Sequence, residues 1–349
     1  MELPVLDSVF CQTTGKTRYW KDVADCLQNG ISYVVLDRET APRDRNWGVT
    51  ISWSHPDIEK LLPEDVWKRI KECQPDPSLD SKEAKCESVL LRDGKTGETM
   101  VEPPFPGIRR LNIQKTKNMW HKNVNIKVRP LSYLICAASY LDDRGDLLIS
   151  AFDLNNQFGK RLSNIEMTDS GPVAHFQDGT SEAGTIIIGA DGNASFVRKW
   201  LLGDDAEPQI LPYAFMNFPV RYTAEQARYI DRTMHPIVDV GVHPKSMYIG
   251  LFLLDKPDLE RPETWIFYIL TSWPIVTKED EENTGNRLQR LRDRMDDWAE
   301  PFKSAVAWVP DGTEIKPDKL KIWIPKPWDN RGGHVTIAGD AAHSMTFRK

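Results

Sequence analysis

Gly184-Thr-Ile-Ile-Ile-Gly-Ala-Asp-Gly-Asn-Ala-Ser-Phe-Val-Arg198 and His334-Val-Thr-Ile-Ala-Gly-Asp-Ala-Ala-His343 decide how this chain is read. Each is a short apolar strand run that meets small residues and an aspartate, then turns into a helix start. In the first, Gly189 and Ala190 allow close backbone packing, Asp191 sets an acceptor at the strand tip, and Gly192 permits a turn of positive φ. Ser195 can cap a helix from Phe196 to Leu202 that carries Arg198. A helix start with an arginine beside it is an anion site. In the second, Gly339 and two alanines let a cofactor approach the backbone, and Asp340 can accept hydrogen bonds from sugar-like hydroxyls. The plainer readings are an ordinary β-turn-α connection and an N-capping aspartate. Two such turns together suggest a dinucleotide at the carboxyl edge of an α/β sheet.

Working outward, Ile31-Ser-Tyr-Val-Val-Leu36 is expected to be a buried strand ending at Asp37, preceded by a short helix from Asp22 to Asn29 that Gly30 closes. Val49 to Trp53 is another strand, and Arg144 to Phe152 has apolar spacing compatible with a helix. Arg161 to Glu166 and Val173 to Phe176 read as paired strands joined by a turn at Asp169 to Pro172. Asp178-Gly179 then turns the chain into a strand from Thr185 to Ile188. Beyond Pro208 the texture becomes mainly antiparallel β, with strands at Tyr213 to Tyr222, Ile237 to Val242, Ser246 to Leu254 and Thr264 to Ser272. A helix from Glu281 to Ala307 closes that region, with Leu288, Leu291, Met295 and Trp298 on one stripe. Ile108 to Asn125 has no clear period. The fold class is α/β: an incomplete Rossmann-like dinucleotide-binding domain (1–62, 141–207 and 322–349), a connector or insertion (63–140), and a β-rich substrate domain (208–321).

Composition narrows the function. The chain has 349 residues, enough for two domains, and a net charge of −6 without a dense Lys/Arg run, which argues against a nucleic-acid surface. The five cysteines form no CxxC pair, as reduced thiols do in an intracellular, cytoplasmic protein. The start lacks the features of a secretory signal, and the longest apolar run, Leu131 to Leu141, is too short to span a bilayer. Neither a metal-ligand spacing nor a Ser/His/Asp constellation is visible, and the sequence leaves the oligomeric state open.

The two motifs, in this order and with a β-rich segment between them, resemble those of the FAD-dependent aromatic hydroxylases, the group A flavoprotein monooxygenases of the para-hydroxybenzoate hydroxylase fold. The similarity is closest to salicylate-hydroxylase-like and fungal members and runs, with gaps, from about Gly30 to the C-terminus. The resemblance implies an FAD-dependent monooxygenase that uses NAD(P)H and O2 to hydroxylate an aromatic or phenol-like small molecule. It implies that Asp37 binds the adenosine ribose and that Gly48 lies near the flavin. Arg144, in Arg-Gly-Asp-Leu, resembles an arginine–acid–leucine helix start whose arginine contacts FAD. Asp191, with Gly192 and Arg198, falls at the first motif's pyrophosphate-binding position, and Asp340, with Gly339, falls where the ribityl and pyrophosphate part of FAD is held. Arg221 and Tyr222 are the residues placed to polarise a phenolate.

Two departures accompany the resemblance. The family's first strand leads into Gly-x-Gly-x-x-Gly, whereas only Gly15 precedes Gly30 here. The family continues past the second motif with a proline and a Gly-x-Gly-x-Asn loop, which Ser344 to Lys349 does not contain. The sequence is therefore expected to be a truncated or mis-spliced version of such an enzyme. A non-catalytic hydroxylase-fold protein and another FAD-dependent oxidoreductase remain the alternatives.

Overall fold

A strand that the sequence pattern does not announce, β1 (Val9–Thr13), lies at the centre of a five-stranded sheet. The structure is a computed structural model, and it describes residues 9–13, 33–38, 48–52, 54–61, 64–116, 119, 140–141, 147–148, 156–282, 285–344 and 346. The helix expected at 22–29, Gly15 and Arg144 lie outside these residues.

The strand order is β19-β13-β1-β2-β9, with β2 (Tyr33–Asp37), β9 (Asn156–Gln157), β13 (Ile186–Ala190) and β19 (Val335–Ile337). All four pairings are parallel. Thr13 is level with Ala190 on one side and Asp37 on the other, so the carboxyl ends of β1, β2 and β13 share one edge. The chain passes from β1 to β2 on one flank and reaches β13 on the other, and a crevice opens where strand order reverses in this way. β-branched Ile187, Val335 and Ile337, together with Leu36, fill the core against Val197 and Leu201 of α3 (Phe196–Leu202).

An antiparallel sheet of β10 (Leu162–Thr168), β11 (Gly171–Phe176) and β12 (Ser181–Ala183) packs onto this core through Leu162, Ile165 and Phe176. The Asp178-Gly179 turn forms as expected, with Thr180 N donating to Asp178 Oδ1 at 3.0 Å. It leads first into β12 and only after Gly184 into β13, so two strands stand where one is expected. The helix expected at 144–152 is overturned where the structure describes it. There β8 (Leu147–Leu148) pairs with β7 (Tyr140–Leu141), because a two-leucine run fits either period and tertiary pairing decides it.

The second sheet has seven strands in the order β18-β14-β17-β16-β15-β4-β5. These are β4 (Leu90–Asp93), β5 (Thr99–Val101), β14 (Gln209–Val220), β15 (Asp239–Val242), β16 (Tyr248–Asp255), β17 (Ile266–Pro274) and β18 (Asp318–Ile322). Two of them, β4 and β5, come from the stretch expected as a connector. The same stretch contributes β6 (Arg109–Asn112), which pairs with β3 (Gly48–Ile51). One face of the sheet carries Met216, Phe218, Ile249, Leu251, Phe267 and Ile269 into a core with the helices that cover it. Leu251 and Phe267 are fully buried, worth roughly 1.5–3 kcal/mol each. Those helices include α4 (Ala224–Thr233), started by a Thr223–Gln226 capping box. The single helix expected from 281 to 307 is instead α5 (Lys278–Glu282), α6 (Arg287–Arg292) and α7 (Phe302–Ala307). Gly285 takes a φ of 71°, Asn286 caps α6 afresh, and Pro301, which lacks an N–H, starts α7. The apolar stripe survives the breaks: Leu288, Leu291, Met295 and Trp298 are all buried. No helix among the described residues is long and apolar enough to cross a membrane.

Candidate functional site

The loop after β13 is held by its own aspartate. Asp191 accepts from the backbone N–H of Phe196 at 2.6 Å and of Val197 at 3.2 Å, and from the Ser195 hydroxyl. Ser195 in turn accepts from Arg198 N at 2.9 Å, so the first turn of α3 is capped by two side chains. Burial pushes the Asp191 carboxyl upward, and these hydrogen bonds oppose it. Gly192 has a φ of 81°, as the turn requires, and a Cβ on Gly189 would sit 2.5 Å from Val197 Cβ. The backbone shape expected of this motif is therefore present, while the Asp191 carboxylate serves the loop itself.

Arg198 departs from its expected place beside an anion. It is 1% exposed, and its guanidinium donates to the carbonyls of Ala206 at 2.9 Å, Ala341 at 2.9 Å and Asn193, with Trp323 beneath it at 4.8 Å. It clasps the first motif to the second by neutralising carbonyl dipoles. Ala338 N adds a bond to Gly189 O at 2.9 Å, which extends the β13–β19 ladder into the second motif. There Gly339 takes a φ of 60° and opens a short 3-10 turn, Gly339–Ala341, with Asp340 half-buried on it. Asp37, also half-buried, ends β2 on the same sheet edge. Beside this edge Asp191, Arg38, Arg161, Gln177, Phe196 and Lys199 border a recess of about 370 Å3.

Arg110 is a candidate residue that the sequence pattern does not announce. It lies on β6, opposite Thr50 of β3, and its side chain donates from Nε to Leu253 O at 3.1 Å and from Nη1 to Thr50 Oγ1 at 3.3 Å. Its guanidinium carbon stands 4.5 Å from the centre of the Phe252 ring. Burial brings its pKa down to about 10, and among the described residues no carboxylate forms an ion pair with it. Gly48 is where it is because of Arg110: a Cβ there would fall 2.6 Å from Nη2. After Arg110, Asn112 ends the strand and caps a helical turn at 113–116 by accepting from Lys115 N at 3.0 Å, while its amide donates to Leu254 O. Arg110-Leu-Asn-Ile is thus an arginine-bearing strand-to-helix turn.

The face of the seven-stranded sheet that the helices leave uncovered bears Phe215 and Asn217 of β14, Tyr268 of β17, and Tyr248 and Phe252 of β16. Tyr268 stands opposite Phe252, and its hydroxyl donates to Asn217 Oδ1 at 2.6 Å, whose Nδ2 donates to Asp318 Oδ2 at 3.0 Å. The pair expected to polarise a phenolate is elsewhere. Tyr222 is buried in the helix-covered core, donates to Ala305 O at 2.6 Å, and has its phenol pushed upward by burial. Arg221 is exposed just past the end of β14. Strand alternation explains the error, because Tyr222 shares the parity of Phe218 and Val220, which face the helices.

No family model matches the chain. Among curated proteins, it is 28% identical over 326 residues to the FAD-dependent monooxygenase phnB of Penicillium herquei, covering 90% of this chain and 71% of that protein. It is 29% identical over 334 residues to the FAD-dependent monooxygenase dbaB of Emericella nidulans, covering 91% and 76%. Its fold is similar to that of Klebsiella pneumoniae HpxO complexed with FAD and uric acid, with a TM-score of 0.64 at 16% identity over 97% of this chain and 73% of that one.

Proposed function

The chain belongs to the FAD-dependent aromatic hydroxylases, and we propose that it hydroxylates a phenol-like small molecule at the seam between its two sheets, with FAD, NAD(P)H and O2. The observation that carries the reading is Arg110, a buried guanidinium without a carboxylate among the described residues, wedged against Gly48. Such a charge is costly unless an anion meets it, and a dinucleotide pyrophosphate is a fitting one. The other residues suit the same group. Asp37 offers a carboxylate to the two ribose hydroxyls, and Gly339 turns the chain so that Asp340 can bind along the sugar-phosphate part. Asp191 and Arg198 hold that turn in shape without touching the ligand.

When bound and reduced by NAD(P)H, the flavin supplies the activation of O2. The chain's own residues position and exclude. Arg110 would hold the cofactor's pyrophosphate and Asp37 its ribose hydroxyls, and Phe215, Tyr248 and Phe252 give the substrate ring an aromatic surface. A ring bound on this surface would exclude water from the reacting centre. The free, buried thiols of Cys73 and Cys86 support a reducing, cytoplasmic setting for this chemistry.

The test is to load the protein with FAD and supply NAD(P)H, a phenol and isotopically labelled O2. Expected is NAD(P)H oxidation that the phenol accelerates, with one labelled oxygen atom in the aromatic product. Oxidation that yields only peroxide across a broad panel of phenols would favour another FAD-dependent oxidoreductase.

A further inference from the structure

The last residues of β16 break the regular sheet. Leu253 stands opposite Phe267 and Asp255 opposite Ile266, so one step along β17 is matched by two along β16, and Leu254 is the extra residue of a β-bulge. Successive carbonyls of a regular strand point to opposite sides, whereas at this bulge two in a row serve one neighbour. Leu253 O accepts from Arg110 Nε at 3.1 Å, and Leu254 O accepts from Asn112 Nδ2 at 3.0 Å. The next two residues continue the attachment. Asp255 Oδ1 lies 2.6 Å from the Lys115 ammonium, and Lys256 N donates to Pro75 O at 2.9 Å. Lys115 Nζ also donates to Gln74 O at 3.2 Å, while Lys256 Nζ stands 2.7 Å from Asp76 and 2.9 Å from Asp231 of α4. Residues 253 to 256 thus fasten, one after another, the turn that carries Arg110 and the loop at 74–76 beside it.

Resting on the hydroxylase reading, in which Arg110 meets the cofactor pyrophosphate, we infer that the bulged end of β16 sets the aim of Arg110. Asn112, and Asp255 acting through Lys115, are positioning residues. They hold the 110–116 turn against the bulge, so that the long arginine side chain is fixed before the cofactor arrives. Preorganisation of this kind raises affinity because less ordering is left to occur on binding. The Lys115–Asp255 pair can carry this role because both side chains are mostly buried, where solvent screens an ion pair less than at the surface. It follows that Asp255 influences FAD only while Arg110 is present.

FAD affinity is measured by flavin fluorescence in wild type, Asp255→Asn, Arg110→Ala and the double variant, with a thermal melt of each. Asp255→Asn is expected to weaken FAD binding about 3- to 10-fold, within the coupling of neighbours in one hydrogen-bonded network. In the Arg110→Ala background the same substitution is expected to change FAD affinity no further, while it lowers the melting temperature equally in both backgrounds. A merely structural aspartate would weaken FAD by the same factor in both. Lys115→Met repeats the test from the other partner should Asp255→Asn fail to fold, and Lys115→Arg, which keeps the charge, is expected to retain the wild-type affinity. Wild-type affinity in Asp255→Asn or Lys115→Met, or a loss of equal factor in both backgrounds, overturns the inference. If wild type binds FAD in those cases and Arg110→Ala weakens it, the proposed function stands. A wild type that takes up no FAD overturns both.

Discussion

The carboxyl edge of the five-stranded sheet and the face of the seven-stranded sheet away from its helices are built by opposite means. At the edge, the work is done by backbone. Gly192 and Gly339 shape turns, Gly189 lets Val197 pack against the strand, and Asp191, Ser195 and Arg198 spend their polar atoms on neighbouring main chain. On the face, the work is done by single side chains, one or two from each strand, brought together only by register. A cofactor site made of turns is contiguous in sequence and survives as a string. A substrate site made by alternation is scattered, and a one-residue change of parity sends a residue to the wrong side.

In the proposed function Arg110 links the two regions through the cofactor, so removing it should break the contrast most severely. Arg110→Ala deletes a charge-assisted contact worth roughly 1.5–3 kcal/mol, about 10- to 150-fold in FAD affinity. Equilibrium dialysis of flavin against the folded variant checks this, and an unchanged affinity would show that the pyrophosphate sits elsewhere. Gly48→Ala reaches the same guanidinium from the other side. Its new methyl would fall 2.6 Å from Arg110 Nη2, and an about 10-fold loss of FAD affinity is expected with near-normal melting.

The far edge of the seven-stranded sheet should respond to acid. His235 Nδ1 accepts from the N–H groups of Ile237 and Val238, both at 3.3 Å, which places its hydrogen on Nε2, facing Ser88. Burial lowers its pKa below the ordinary 6.5, against the opposing charge of Asp239. The unfolded chain therefore takes up this proton first. The stability that neutral His235 contributes is complete above 6.5 and is lost as pH falls below it, at up to about 1.4 kcal/mol per pH unit. Denaturant melts between pH 7 and pH 5 should lose more stability in wild type than in His235→Asn, whose oxygen can accept the same N–H bonds without titrating. Parallel slopes would assign the acid sensitivity to other groups.

The smallest effects are expected where the sequence pattern pointed and the structure did not follow. Tyr222→Phe should cost roughly 0.5–1.5 kcal/mol of stability through the lost bond to Ala305 O, with FAD affinity unchanged. Arg221→Ala, at an exposed position, should alter neither. A loss of turnover in either variant at normal stability would return them to the site.

These contrasts explain what was legible. The turn at Gly192, the Ser195 cap and the strand ending at Asp37 depend on residues within one short window, so local chemistry announces them. β1 was not announced, because Val-Phe-Cys-Gln-Thr alone has no distinctive period and becomes a central strand through its parallel partners β13 and β2. Arg110 was not singled out because Arg-Leu-Asn carries no acid, and an arginine in such a string reads as a solvated charge. Its buried position rests on pairing with β3, far off in sequence. The helix stripe at Leu288, Leu291, Met295 and Trp298 was legible as a buried face, but its interruption at Gly285 and Pro301 was read through.

The most direct test of the flavin edge is a spectroscopic titration of the purified protein with FAD, followed by passage through a desalting column. Saturation at one FAD per chain, with the yellow flavin bands retained after the column, is the expected result. A protein that shows no saturable change and emerges colourless would contradict the assignment of this edge to the cofactor.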